Sequence, residues 1–350
     1  MLASLAVVWA LGTLTATFVL DANLALRFPY LADLSADYAR RSGPVVLALG
    51  SSRTEGSFEI NRMTAFLAKS FPERRLTAFN AAVAASGLFT QEAVLNQLLS
   101  VGPRPEVVIV EVNPEFLDHR NTWLKFPRDL TWSNVLDVGT DVFQKSGARF
   151  LENRFLPLFS RRFEVRLAAW RWMHAQWGLT APKLDPDEPR IPFFSASYEP
   201  QTPEPTSMTD EVRARQIRYN PQALVGFSPT GSAAKALERI LKTCHERDIS
   251  VMMVDAPLCS LSRKQLAPAK EKYTAYLNSL LERYPRARYY DASDAIPDAA
   301  FGDHHHVNPY GRHLMCTHLA MVLLPDAFAS WKRDSSSNGV AQSSPGGVVK

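Results

Sequence analysis

The chain has 350 residues, 46% of them hydrophobic and 21% charged, with a formal net charge of +4. That length and balance describe a globular chain with room for a sizeable core. Lys and Arg are scattered, not gathered into a stripe interleaved with aromatics, which argues against a nucleic-acid partner. The pairs Arg40-Arg41, Arg74-Arg75 and Arg161-Arg162 read as solvated surface.

From Leu2 to Leu20 no charged residue occurs, a run just long enough to cross a bilayer as a helix. No Lys or Arg precedes it, and Asp21-Ala22-Asn23-Leu24-Ala25 is a poor cleavage site, unlike a cleaved signal peptide. The expectation is an uncleaved transmembrane anchor over residues 1–20, then a membrane-proximal connector over 21–43. The charges flanking this run do not set its orientation.

Pro44 to Leu49 is a short apolar run ended by Gly50-Ser51-Ser52, the pattern of a strand buried on both faces. A helix is predicted near 59–70, a strand near 75–79, an amphipathic helix over 89–100 and a third strand over 106–112. Residues 120–228 break this rhythm, with Trp123, Trp132, Trp170, Trp172 and Trp177 and a proline-dense stretch from Pro182 to Pro205. They are predicted to form an insertion of one or two helices and an irregular surface loop. Alternation then resumes: a helix from Ser232, a strand over 249–254, a helix over 269–283, a short strand over 288–290 and a helix from about Tyr310 to Leu323. The Ser- and Gly-rich tail over 334–350 is expected to be disordered. The three cysteines, Cys244, Cys259 and Cys316, lack metal-ligand spacing. Either one pair bridges in an oxidising compartment, or all three are small core residues.

Strand-helix repetition of this kind predicts an α/β fold with a parallel sheet covered by helices, whose ligand site lies beyond the carboxyl ends of the strands. Three polar clusters fall at such ends: Gly50-Ser51-Ser52-Arg53, Asn113-Pro114 and Asp303-His304-His305-His306-Val307-Asn308-Pro309. A serine hydroxyl needs a base within hydrogen-bond reach, itself oriented by a third group. In Asp303-x-x-His306 the carboxylate can meet one imidazole nitrogen and leave the other for Ser52. Oxyanion donors would come from the Ser52 N–H, the loop Asn80–Gly87 and the Asn113 side chain. Taken singly, Gly50-Ser51-Ser52-Arg53 also reads as a strand-ending turn, Asn113 as a turn former, and His306 as a surface or core histidine. The triple histidine lacks a partner at ligand spacing, so no metal is expected. Arg53 either pairs with a carboxylate near the site or covers the surface.

Gly50-Ser51-Ser52, Asn113 and Asp303-x-x-His306-x-Asn308-x-x-Gly311 resemble the blocks of the SGNH/GDSL hydrolase superfamily, over roughly residues 44–118 and 232–325. The resemblance implies a flavodoxin-like three-layer fold with a five-stranded parallel sheet, forming a domain over 44–330. It implies Ser52 as nucleophile, His306 as base, Asp303 as its orienter, and an oxyanion hole from Ser52, Ala85 (or Gly87 if the register shifts) and Asn113. The chain has Gly-Ser-Ser where the superfamily has Gly-Asp-Ser, and Asn113-Pro114 where it has Asn-Asp. With the anchor, it is most similar to the branch that acylates cell-envelope polymers, such as the D-alanyl transfer protein of teichoic acid and the alginate O-acetyltransferases. A membrane-held, extracytoplasmic acyltransferase or esterase is therefore expected, without cofactor. Its expected partners are an envelope polysaccharide substrate and a membrane-bound acyl donor protein. The alternative is a non-catalytic protein that keeps the fold as a binding or scaffolding module.

Overall fold

A computed structural model describes residues 7–11, 29–84, 86–118 and 226–331 of the chain. Five strands, β1 (Val45–Leu49), β2 (Thr77–Asn80), β3 (Val107–Val112), β4 (Ser250–Asp255) and β5 (Ala287–Asp291), form one sheet in the order β2-β1-β3-β4-β5. All four pairings are parallel. This is the 2-1-3-4-5 order of a doubly wound sheet, in which ligands bind where the winding reverses, beside β1 and β3. The predicted strands thus fall within two residues of those observed.

The helices between them are α1 (Pro29–Ala39), α2 (Ser52–Ser57), α3 (Ile60–Ser70), α4 (Leu88–Val101), α5 (Pro114–Leu117), α6 (Ser232–Glu246), α7 (Ser260–Leu266), α8 (Lys270–Arg283) and α9 (Pro309–Trp331). Alternate strand residues feed two cores, as the two-residue side-chain period requires. Leu47, Val108, Val110 and Met253 meet α1, α4, α6 and α8, whereas Val46, Ala48, Ile109 and Met252 meet α3 and α9. Each buried aliphatic side chain contributes about 1.5–3 kcal/mol. The near-continuous apolar strands are what hold helices to both faces. A two-point ion pair, Arg239 to Glu92 at 2.7 and 2.8 Å, fastens α6 to α4.

Several elements lie outside the sequence expectation. Helix α1 falls in the stretch expected as a connector and packs Leu34 and Tyr38 into the core. Helices α2, α5 and α7 are too short to show a period in sequence. Helix α9 continues past Leu323 to Trp331 through a π-helical turn, Leu319–Leu323. Among the described residues α9 is the one helix long and apolar enough to cross a membrane. Half of its most apolar window is buried, with Met315, Leu319, Leu323 and Phe328 in the core on one sheet face. It serves as a core helix.

Of the expected anchor, only residues 7–11 are described; they are helical, with Val7, Val8, Trp9 and Leu11 exposed. The rest of that segment, most of the insertion and the 334–350 tail lie outside the described residues. Cys244, Cys259 and Cys316 are all buried and unbridged, which decides for the core alternative. Cys316 donates to the Ser57 carbonyl at 3.1 Å and accepts from the Glu59 N–H at 3.2 Å, docking α9 against α2.

At the carboxyl end of β4, Asp255 is buried and accepts hydrogen bonds from Tyr273 and Tyr289. Burial pushes its carboxyl up to about 7, against the pull of those two donors. The folded chain therefore keeps a proton there that an unfolded chain, with the ordinary value of 3.8, has released. Between about pH 4 and 7 the native state binds more protons, so this group's stabilisation declines as pH rises through the window. Asp255→Asn removes that titration. Urea unfolding of both chains should show a smaller loss of stability from about pH 4 to about pH 7 in the variant, and equal losses would contradict the assignment.

Candidate active site

The site lies on the carboxyl rim of the sheet, where β1 and β3 run side by side. Leu49 is in register with Val110, so Ser52 and Asn113 each follow three residues beyond a paired position. Ser51 caps α2, its side chain accepting from the Arg53 N–H, which leaves Ser52 as the first residue of a short helix. Gly50 is required immediately before: a Cβ there would lie 2.1 Å from Thr54 Oγ1 and 2.6 Å from Glu111 Oε2.

The second half of the site is a tight loop ahead of α9. Phe301 and Val307 form an antiparallel bridge, and the Gly302 N–H donates to the His306 carbonyl at 2.8 Å. Asn308 caps α9 by accepting from the Gly311 N–H at 2.9 Å and donates to the Ala299 carbonyl at 2.9 Å. Gly311 has no room for a side chain, since a Cβ would sit 2.1 Å from the Ala300 carbonyl oxygen. The Asn308-x-x-Gly311 spacing thus pins the loop that presents Asp303 and His306.

Ser52 Oγ lies 2.8 Å from His306 Nε2, and His306 Nδ1 lies 2.5 Å from Asp303 Oδ2. The other carboxylate oxygen, Oδ1, accepts from the His305 and His306 backbone N–H groups at 2.8 and 2.6 Å. Burial works against ionisation of Asp303, but the bond and charge of His306, with the charge of His305 and its N–H, outweigh it and hold the carboxyl well below the usual range. A carboxylate so held stays ionised and fixes Nδ1 as the protonated nitrogen, leaving Nε2 to accept from the serine.

Asn113 caps α5, its Oδ1 accepting from the Phe116 N–H at 2.9 Å. Its Nδ2 is buried and has no hydrogen-bond partner among the described residues. A buried donor left unpaired is costly, and this one follows β3, the strand paired with the one that leads to Ser52. Asparagine can cap a helix and still present a donor because it carries an acceptor and a donor on one planar group. Ala85 lies outside the described residues. Gly87 caps α4, and a Cβ there would meet nothing within 4 Å.

His304 and His305 have their rings 3.9 Å apart, with His305 Nδ1 2.5 Å from His304 Nε2. Burial, with the neighbouring positive charges of His306 and Arg53, pushes His305 well below its ordinary value, and His304 is lowered mainly by burial as well. Among the described residues, Asp303, His305 and His306 bring possible metal-ligand atoms within 4.8 Å of one another. Both His306 nitrogens and Asp303 Oδ2 are engaged in the chain to Ser52, and Asp303 Oδ1 is held by the His305 and His306 backbone N–H groups, so a metal held by His306 would have to displace a bond of that chain.

Sequence reasoning missed Glu111. It stands on β3, 1% exposed, and accepts from the Ser51 N–H at 2.6 Å and from Thr54 Oγ1 at 2.7 Å. Arg53, whose role the sequence left open, turns inward: it pairs with Glu115 at 3.0 Å and Glu111 at 3.6 Å and lies over the Phe116 ring. The available signal was a single acidic residue inside an otherwise apolar strand, two positions before Asn113.

Asp303→Asn should leave the fold intact and lower kcat for an activated ester by about 10³–10⁴-fold with KM little changed, because the amide stabilises the wrong imidazole tautomer. Steady-state kinetics on p-nitrophenyl acetate would check this; undiminished kcat would remove Asp303 from the chemistry.

No family model matches the chain, and no curated protein matches it. Solved structures do match. An alpha/beta hydrolase from the metagenome of Lake Arreo, Spain, is 13% identical over 81% of this chain and 97% of its own, with a TM-score of 0.38. An acetyl xylan esterase from Geobacillus stearothermophilus is 11% identical over 83% of this chain and 96% of its own, TM-score 0.37. A protein from Parabacteroides merdae described as a GDSL-like lipase is 10% identical over 80% and 96%, TM-score 0.37. At these values the likeness carries no argument, and the functional conclusion rests on the geometry of the rim.

Proposed function

We propose that the chain is a serine acyl-transfer enzyme, an esterase or O-acyltransferase of SGNH type. The observation that carries this is the continuous chain from Ser52 Oγ through the His306 imidazole to Asp303, at 2.8 and 2.5 Å. Ser52 Oγ attacks the carbonyl carbon of an ester, and its proton passes to His306 Nε2 while Asp303 stabilises the imidazolium. The negative oxygen of the tetrahedral intermediate faces the Ser52 N–H and Asn113 Nδ2. The intermediate collapses to an acyl-serine, and the leaving alcohol takes the proton from Nε2. A water or an acceptor hydroxyl then gives its proton to Nε2 and attacks the acyl carbon, and Ser52 Oγ leaves as it takes that proton back from Nε2. The sequence asks for no cofactor in this cycle.

The finer proposal is that the acyl groups are those of a cell-envelope polysaccharide, with the domain held at the membrane on its extracytoplasmic side and supplied by a membrane-bound acyl donor protein. What supports it is the uncharged run Leu2–Leu20 and the Gly-Ser-Ser form of the nucleophile loop. An anchor keeps an acyltransferase near a membrane-embedded donor, whereas a free esterase gains nothing from one.

Incubated with p-nitrophenyl acetate, the wild-type chain should release acetate, and Ser52→Ala should lose at least about 10³-fold in kcat. Equal turnover by both would mean that Ser52 is not the nucleophile. No turnover by either would favour the fold serving as a binding module.

A further inference from the structure

Residues 51, 53 and 54, on both sides of Ser52, converge on the Glu111 carboxylate. Glu111 Oε2 accepts from the Ser51 N–H at 2.6 Å, Ser51 Oγ at 2.9 Å and Thr54 Oγ1 at 2.7 Å; Oε1 accepts from Ser51 Oγ at 2.8 Å and faces Arg53 Nε at 3.6 Å. The anchoring strand is itself tied down, because Gln91 Nε2 donates to the Glu111 carbonyl at 3.1 Å. Arg53 carries the restraint onward to Glu115 and Phe116, in the short helix that Asn113 caps. Gly50 gives the approach its space, since any side chain there would run into Thr54 and this carboxylate.

From this convergence we infer that Glu111 is a positioning residue for the serine chemistry: it sets where Ser52 Oγ stands relative to His306 and couples the nucleophile loop to the Asn113 loop. The inference rests on the serine acyl-transfer proposal and extends it. Burial of a carboxylate needs several strong partners, and among the described residues those of the Glu111 side chain are Ser51, Arg53 and Thr54, which flank the nucleophile. Because the Ser51 N–H is spent on Glu111, Ser52 supplies the loop's N–H for an oxyanion. A displacement of the nucleophile by about 1 Å is enough to lower a rate about 10²-fold. No proton is gained or lost by Glu111 in the reaction; it acts only through Ser51, Arg53 and Thr54.

Glu111→Gln keeps the side chain's shape but replaces one acceptor oxygen with a donor, so Ser51, Thr54 and Arg53 cannot all keep their bonds. The full-length chain, wild type and variant, is treated with a fluorophosphonate, and the rate constant and final extent of Ser52 labelling are read separately. The expected result is about a 10–100-fold lower rate constant with the final extent unchanged, together with a matching fall in kcat for p-nitrophenyl acetate at constant KM. Labelling at the wild-type rate would overturn the inference. A lower final extent with an unchanged rate constant would also overturn it, because that pattern reports only loss of folded protein. Wild-type chain that is not labelled at Ser52 would overturn the serine proposal itself, and this inference with it. Glu111→Asp, which keeps the charge but shortens the reach, should fall between wild type and Glu111→Gln in rate constant; a rate below that of Glu111→Gln would contradict positioning through these bonds.

Discussion

The contact between Ser52 Oγ and His306 Nε2 joins residues 254 positions apart, and most of the architecture can be read as the means of holding it. Ser52 is delivered by the end of β1, the second strand in from the sheet edge. His306 is delivered by a loop that hangs between β5 and α9. A hydrogen bond of 2.8 Å between such distant segments needs both supports to be stiff. The parallel sheet supplies one through fully buried strands. The Asn308 cap and the close approach of Gly311 to Ala300 supply the other.

The electrostatics of the rim follow the same division. Asp303 is kept ionised by the groups it must orient, while His304 and His305 are pushed toward their neutral forms by burial and by the positive charges beside them. His306 is the imidazole that meets both the serine and the carboxylate. On the opposite side of Ser52, Arg53 offsets the buried charge of Glu111 and is shared with Glu115. Each buried charge of the site has its counterpart within reach, as burial of ionised groups demands. The neutral Asn113 Nδ2 has no hydrogen-bond partner among the described residues, and an oxyanion would supply one.

Much of this was legible in the sequence, for a physical reason. The central strands β1, β3 and β4, buried on both faces, read as apolar runs, the edge strands β2 and β5 were located as short stretches between predicted helices, and the polar clusters beyond the strands pointed to Ser52, Asn113, Asp303 and His306. Short helices such as α2 and α5 leave no period and were missed. So was α1, whose Leu34 and Tyr38 look in sequence like connector residues yet pack into the core. Glu111 was hidden because a carboxylate inside a strand is indistinguishable from an edge residue until its partners are known. Arg53 needed that same knowledge. The anchor over residues 1–20, Ala85 and most of the 120–228 insertion lie outside the described residues, so membrane attachment and the polysaccharide substrate rest on composition and resemblance.

Acyl transfer at this rim requires Ser52 to carry the acyl group. Full-length chain mixed with an acetyl ester, quenched in acid during turnover and mapped by peptide mass spectrometry, tests this directly. The prediction is an acetyl group on the peptide holding Ser52, localised to that residue and absent from Ser52→Ala. Turnover that persists in Ser52→Ala, with the acetyl group found on another residue, would contradict it.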